Sequence, residues 1–220
     1  MPCVEEGYMG LKQTALLAMI GLGYIFLVRT VGSLFPVVFG NLLLAQCSGI
    51  LSFLACAAVL IFFISFLKEY VSQEQTQLRT ASVLVIVGFS FVLVAHLKEI
   101  LPLFAAHTFH PVNGSHNFDV LAPWLNSVFM AVFFFVFFRQ TSINQMEKLK
   151  RAALIASIGS LVLVLLRTYI VWRFFTTREV VWFYDLPLEV VIIFMPLSAL
   201  GFVSILYFFA SFYQQQPSRV

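Results

Sequence analysis

Two arginines, Arg167 and Arg173, stand inside the apolar run LLRTYIVWRFF, Leu165 to Phe175. A charged side chain near the middle of a bilayer costs a few kcal/mol or more, so it needs a partner, a cavity or a route to the surface. A guanidinium in such a place suits a phosphate or carboxylate, which it grips through its forked N–H groups. The same reading applies to Arg29, in YIFLVRT. The bland alternative is snorkelling, in which a long side chain near a helix end reaches the interface. Arg173 reads best that way, and Arg167 is the deeper of the two.

Other polar residues lie in apolar surroundings. His96 precedes Glu99 by three positions, on nearly the same helical face. A histidine and a carboxylate can relay protons, although Lys98 between them fits an ordinary polar helix end. Asn41, Asn126 and Glu189 each fall within a turn or two of the start of an apolar run, and Asp185 lies just before the last one. The stretch AAHTFHPVNGSHNFD holds His107, His110 and His116. Zinc takes such ligands, but this spacing matches no fixed metal pattern, so no metal site is expected. Asn113-Gly114-Ser115 is a glycosylation sequon. No nucleophile elbow, phosphate loop, HExxH or paired-carboxylate signature is found, and neither an enzymatic activity nor a cofactor is expected.

The elements that position these residues follow from composition. The chain has 220 residues, 61% of them hydrophobic and 10% charged, with 26 phenylalanines. An ordinary soluble domain is about half apolar and a quarter charged. The expectation is a single integral membrane domain over 1–220, all α, with six spans near 12–33, 37–67, 80–104, 120–138, 152–175 and 187–212. Each is long enough for the roughly 20 residues a membrane helix needs. The N-terminal stretch has no basic region or cleavage site, so the first run reads as a retained span. Pro36, Pro123 and Pro187 stand near span starts, where proline is tolerated. Lys12, Lys68, Arg79, Arg139, Lys148, Lys150, Arg151 and Arg219 gather on one side, which the positive-inside rule makes cytoplasmic, with both termini. Trp124, Trp172 and Trp182 fall near the opposite face, as an aromatic belt would. Cys47 and Cys56 are nine positions apart, roughly 13 Å along a helix, too far for a disulfide.

The odd-numbered spans resemble one another. Aligned on Leu11, Leu78 and Leu149, each has a base next (Lys12, Arg79, Lys150), a glycine ten positions on (Gly21, Gly88, Gly159) and a cationic or titratable residue eighteen on (Arg29, His96, Arg167). The offsets of 67 and 71 residues are one helical hairpin each, so three parallel hairpin repeats are expected. The eighteenth positions then form one layer in the outer half of the bilayer, roughly 24–27 Å above the repeat start. Asn41, Asn126 and Glu189 should join it from the descending spans and face the bundle interior.

In the C-terminal half, LVLVLLRTYIVWRFF is followed by REVVWFYDLPLEVVII. These stretches resemble the late Arg–small–aromatic span, the aromatic–Arg pair and the acid-containing turn of the fungal RTA-like family of lipid-translocating exporters. Arg167 and Arg173 match the arginines, and Glu179 and Asp185 the acids. IGLGYIFLVRT resembles its Gly-Tyr…Arg span through Gly23, Tyr24 and Arg29. The family has seven spans, of which this chain would lack the first. The resemblance implies movement of lipids or sphingoid bases and resistance to toxic amphiphiles. The leading expectation is therefore a lipid or amphiphile transporter with Arg29 and Arg167 as anion contacts and Glu189 or Asp185 as counter-charges. A sensor module is the first alternative. The second is a subunit whose charges pair with another chain or a second copy. Membrane lipids are the expected partners and nucleic acid is not. The sequence leaves open which membrane holds the chain.

Overall fold

The computed structural model describes residues 10–34, 42–104, 116–141, 147–177 and 188–215, with the side chains of 29–34, 42–46, 99, 101–104, 116 and 188 outside that description. Within it the chain forms six helices. They are α1 (Leu11–Leu34), α2 (Leu42–Glu69), α3 (Thr76–Phe104), α4 (His116–Gln140), α5 (Glu147–Thr177) and α6 (Leu188–Gln215). All six contain a stretch long and apolar enough to cross a membrane. The chain is an integral, multi-pass membrane protein. The helices run two or more residues past most of the expected spans, because polar ends such as Glu147–Arg151 continue the turn beyond the apolar window. Pro123 and Pro196 lie inside α4 and α6. Pro123 is the eighth residue of α4, one turn deeper than a first-turn proline, so the Asp119 carbonyl has no N–H four residues on.

Each helix packs on the next in sequence, and α6 packs back on α1, so the six close into a ring. Successive helices are antiparallel, which brings the lysines and arginines of one side to one end. There Lys12 sits over the Tyr213 ring at 5.1 Å, Lys150 over Phe138 at 5.3 Å, and Lys148 donates to Gln214 Oε1 at 2.6 Å. Arg151 pairs with Glu147 one turn back. This is the basic end of the bundle.

The core of the basic half is a phenylalanine layer. Three even-numbered helices carry the same five-residue pattern, Phe-Phe-x-x-Phe, at Phe62, Phe63 and Phe66, at Phe133, Phe134 and Phe137, and at Phe208, Phe209 and Phe212. All nine are at most 1% exposed. Their rings meet across all three helices. Phe62 lies 4.8 Å from Phe209, Phe63 lies 4.9 Å from Phe133, and Phe134 lies 4.8 Å from Phe208, each edge to face. Such edge contacts suit the aromatic quadrupole. The odd helices meet this layer with small residues. Ala15 and Ala18 on α1, Ala81 and Ser82 on α3, and Ala152, Ala153 and Ala156 on α5 are all buried. Large rings from one set of helices thus fill the space that small side chains of the other set leave. Tyr70, in the turn after α2, stacks on Phe66 at 4.8 Å and closes the layer from below. Burial pushes its phenol above the ordinary value.

The three repeat glycines occupy matching places. A Cβ on Gly21 would come within 2.8 Å of the Ala55 carbonyl oxygen, one on Gly88 within 2.8 Å of Asn126 Oδ1, and one on Gly159 within 2.5 Å of Ser204 Cβ. Each glycine therefore sets the closest approach inside its own hairpin. Lipid offers no hydrophobic drive for helix association, so close packing through small residues is what holds such pairs.

Two contrasts test this packing in detergent, read as thermal or denaturant unfolding. Gly159→Ala overpacks α5 against α6 and should destabilise by about 1–3 kcal/mol. Gly23→Ala, with nothing within 4 Å of the new Cβ, should be neutral or raise stability by up to about 1 kcal/mol. Phe133→Ala leaves a void of roughly 100 Å³, which at ~24 cal/mol per Å³ costs about 2 kcal/mol. Phe135→Ala, two residues on and 50% exposed, should cost well under half of that. Equal losses for Phe133 and Phe135 would remove the phenylalanine layer from the account of stability.

Candidate functional site

Above the phenylalanine layer the ring holds a partly open cavity of about 90 Å³. Its position follows from the repeat. The odd helices contribute Leu22, Phe89 and Ser160 at one level and Ile25, Val92 and Leu163 a turn higher. These are equivalent under the 67- and 71-residue offsets. Higher still come His96 and Arg167. The even helices contribute Cys56, Ser127 and Phe202, a turn and a half or so above the phenylalanines. At the helical rise the cavity spans roughly 15–25 Å from the basic end, so it lies on the axis in the opposite half of a ~30 Å hydrocarbon core.

The polar groups are unevenly distributed. His96, Asn126, Ser127, Ser160 and Arg167 belong to α3, α4 and α5, and Ser52 is the one hydroxyl from α2. The α1 and α6 walls are Leu22, Ile25, Val28, Phe202 and Ile205. Among the described residues the cavity is therefore polar on one side and oily on the other.

Arg167 is held from α4. Its Nη1 donates to the Pro123 carbonyl oxygen and to Ser127 Oγ. Ser127 Oγ in turn donates to the same Pro123 carbonyl at 3.1 Å. One residue beyond Arg167, the Thr168 hydroxyl accepts from Trp124 Nε1 at 2.9 Å. Two adjacent contacts thus tie α5 to α4 and fix where the guanidinium stands. His96 is half-buried in the wall. No Asp or Glu among the described residues lines the cavity.

Two lining residues carry buried polar atoms with no hydrogen-bond partner among the described residues. Asn126 Oδ1 packs toward Gly88, and the residue is 8% exposed. Ser160 Oγ is the other. Ser82, Ser90 and Ser204 each donate to the carbonyl four residues back, as helical serines in apolar surroundings usually do. Ser160 makes no such bond. Buried polar atoms are nearly always satisfied, so an orphaned pair beside a cavity marks a place where polar matter is expected.

The expected polar layer is thus partly assembled. His96, Asn126 and Arg167 share one cavity. Glu189 lies in the first turn of α6, exposed, and is not among the lining residues. Arg29 lies on α1 and Glu99 on α3, with their side chains outside the described residues. Asn41, Asp185, His107, His110 and the Asn113 sequon also lie outside them, as does the side chain of His116. Among the described residues no three His, Cys, Asp or Glu side chains come together as metal ligands would. Cys47 and Cys56 are free thiols. Pro123, Ser127, Cys56 and Ser160 were not read from the sequence as site residues. Pro123 and Ser127 carry no motif, but the thrice-repeated Phe-Phe-x-x-Phe, at offsets of 71 and 75 residues, would have aligned the even helices and pointed to them. No family model matches the chain, and no curated protein or solved structure matches it.

Proposed function

We propose that this chain binds the anionic head of an amphiphile in the axial cavity and moves it across the membrane. The observation that carries the reading is Arg167, set into the wall of the axial cavity by Pro123 and Ser127. A cation in an apolar cavity attracts an anion more strongly than the same cation in water, because the low local dielectric strengthens the pair. The size of the site narrows the class. A cavity of about 90 Å³ is smaller than the roughly 150 Å³ that takes benzene. It suits a carboxylate or phosphate head, and hydrocarbon chains would lie against the oily α1–α6 side or in the bilayer.

Binding sites at the interface of repeats, near the bilayer's middle, are the usual arrangement in transporters built by duplication. The three hairpins supply that interface. The basic end faces the cytoplasm under the positive-inside rule, so the cavity would load from the external or lumenal half. The resemblance to the RTA-like exporters also suggests movement of lipids, of which those with a phosphate or carboxylate head fit the Arg167 wall.

The experiment is lipid retention by purified protein, read by mass spectrometry on wild type, Arg167→Ala and Arg167→Lys. The expected result is an anionic-head class retained by wild type and reduced about tenfold or more in both variants, since lysine cannot reproduce the forked contact. Retention unchanged in both, with Arg167→Ala alone losing thermal stability, would make Arg167 a structural tie between α4 and α5 and end the head-group reading.

A further inference from the structure

We propose that the nine-phenylalanine layer is the closed gate of an axial path for anionic groups, and that the Arg167 cavity is the open half of that path. The proposal rests on the head-group reading for the path's use and deepens it by naming the route.

Three placements carry it. First, the layer blocks the axis rather than one seam. Each helix's phenylalanines touch those of both other even helices. Phe62 meets Phe209 and Phe212, Phe66 meets Phe133 and Phe137, and Phe208 meets Phe134 and Phe137, at 4.8–6.0 Å between ring centroids. Second, the cavity stands directly over it. Met130 and Ile205, one turn above Phe134 and Phe209, already line the cavity. Third, cations stand at both ends. Arg167 is in the cavity wall, and Lys12, Arg79 and Lys150 occupy the matching repeat positions below the layer. Basic side chains along a pore select anions, and a hydrophobic constriction shuts a pore by staying dry.

The layer is also where the hairpins meet one another. Its cross-helix ring contacts join Phe62, Phe63 and Phe66 of the first hairpin to Phe133 and Phe137 of the second and Phe209 and Phe212 of the third. The glycine contacts at Gly21, Gly88 and Gly159 lie inside single hairpins. A rotation of hairpins as units parts the rings and leaves the glycine seams intact. That is a geometry in which one layer can open while the helix pairs stay whole.

The test uses the full chain in phosphatidylcholine liposomes, with efflux of iodide and of potassium followed separately. Wild type should hold both ions. Phe133→Ser should pass iodide on the order of tenfold faster and leave potassium retained, because wetting the constriction opens a path between cations. Phe135→Ser, on the lipid-facing side of the same helix, should match wild type. Arg167→Gln added to Phe133→Ser should cut the iodide leak severalfold. Where Phe133→Ser does not give a folded protein, Phe62→Ser carries the same expectation from the equivalent place on α2. A folded gate variant that stays tight to iodide overturns the proposal. So does one that passes potassium as fast as iodide, and so does a wild type that leaks like the variant. The assay contains no anionic lipid. Failure of head-group retention and failure of the gate are therefore read separately.

Discussion

Everything in this bundle depends on how nine buried phenyl rings pack against small side chains. In water, burying an aromatic ring would be driven by its exclusion from solvent. In a bilayer the unpacked helix already has its rings in hydrocarbon, so what remains is dense contact and geometry. That is why the layer is so regular. Phe-Phe-x-x-Phe places rings on adjacent and one-turn-apart positions of each even helix, so each helix contributes a wedge toward the axis. Alanine and serine on the odd helices let these wedges converge with no exposed ring surface. With larger residues at Ala15 or Ala153, the odd helices would stand off and the ring would not close. The lipid-facing surface shows no such order: Leu27, Leu54, Phe135, Leu165 and Ile192 are simply large and apolar.

The layer fixes the site indirectly. Because rings fill the basic half, the other half of the axis is bounded by the less bulky and more varied residues above them. The helices hold a partly open cavity there. Its floor is set by Met130 and Ile205 and its upper rim by His96, Pro123 and Arg167. The Arg167 guanidinium then takes its place from a tie to α4 through Pro123 and Ser127.

Much of the fold was legible because membrane helices announce themselves through length and apolarity. Among the described residues, six helices are found where six runs were read. The repeat was legible on the odd helices through Gly21, Gly88 and Gly159, whose places in the structure match one another. Less visible was the role of the phenylalanines. Twenty-six of them spread through a chain this apolar look like lipid-facing bulk. Phe133 and Phe135 differ only in which way the helix turns them, and a helix apolar all round has no amphipathic stripe to reveal its inner face. The site was half legible for a related reason. Arg167 and His96 stood out because charge is rare in such runs, but Ser127, Ser160 and Cys56 are ordinary in membrane helices. Only closure of the ring shows which of them reach the axis.

The repeat also explains why the cavity is polar on one side. Where the three hairpins agree, they build: leucine at 11, 78 and 149, glycine at 21, 88 and 159, and the phenylalanine triplets. Where they differ, the rest of the polar lining appears, beside the His96 and Arg167 that the repeat itself places there. Asn126 stands at the position of Ala55 and Gly201, Ser127 at that of Cys56 and Phe202, and Ser160 at that of Leu22 and Phe89. All three departures fall on α4 and α5. A strictly threefold bundle would present the same chemistry to the axis from every side, and a head group with its chain attached has no threefold symmetry to match it. The amphiphile proposed above needs one wall that binds charge and another that tolerates hydrocarbon. Divergence of α4 and α5 on an otherwise repeated frame supplies that difference without disturbing the layer that holds the frame together.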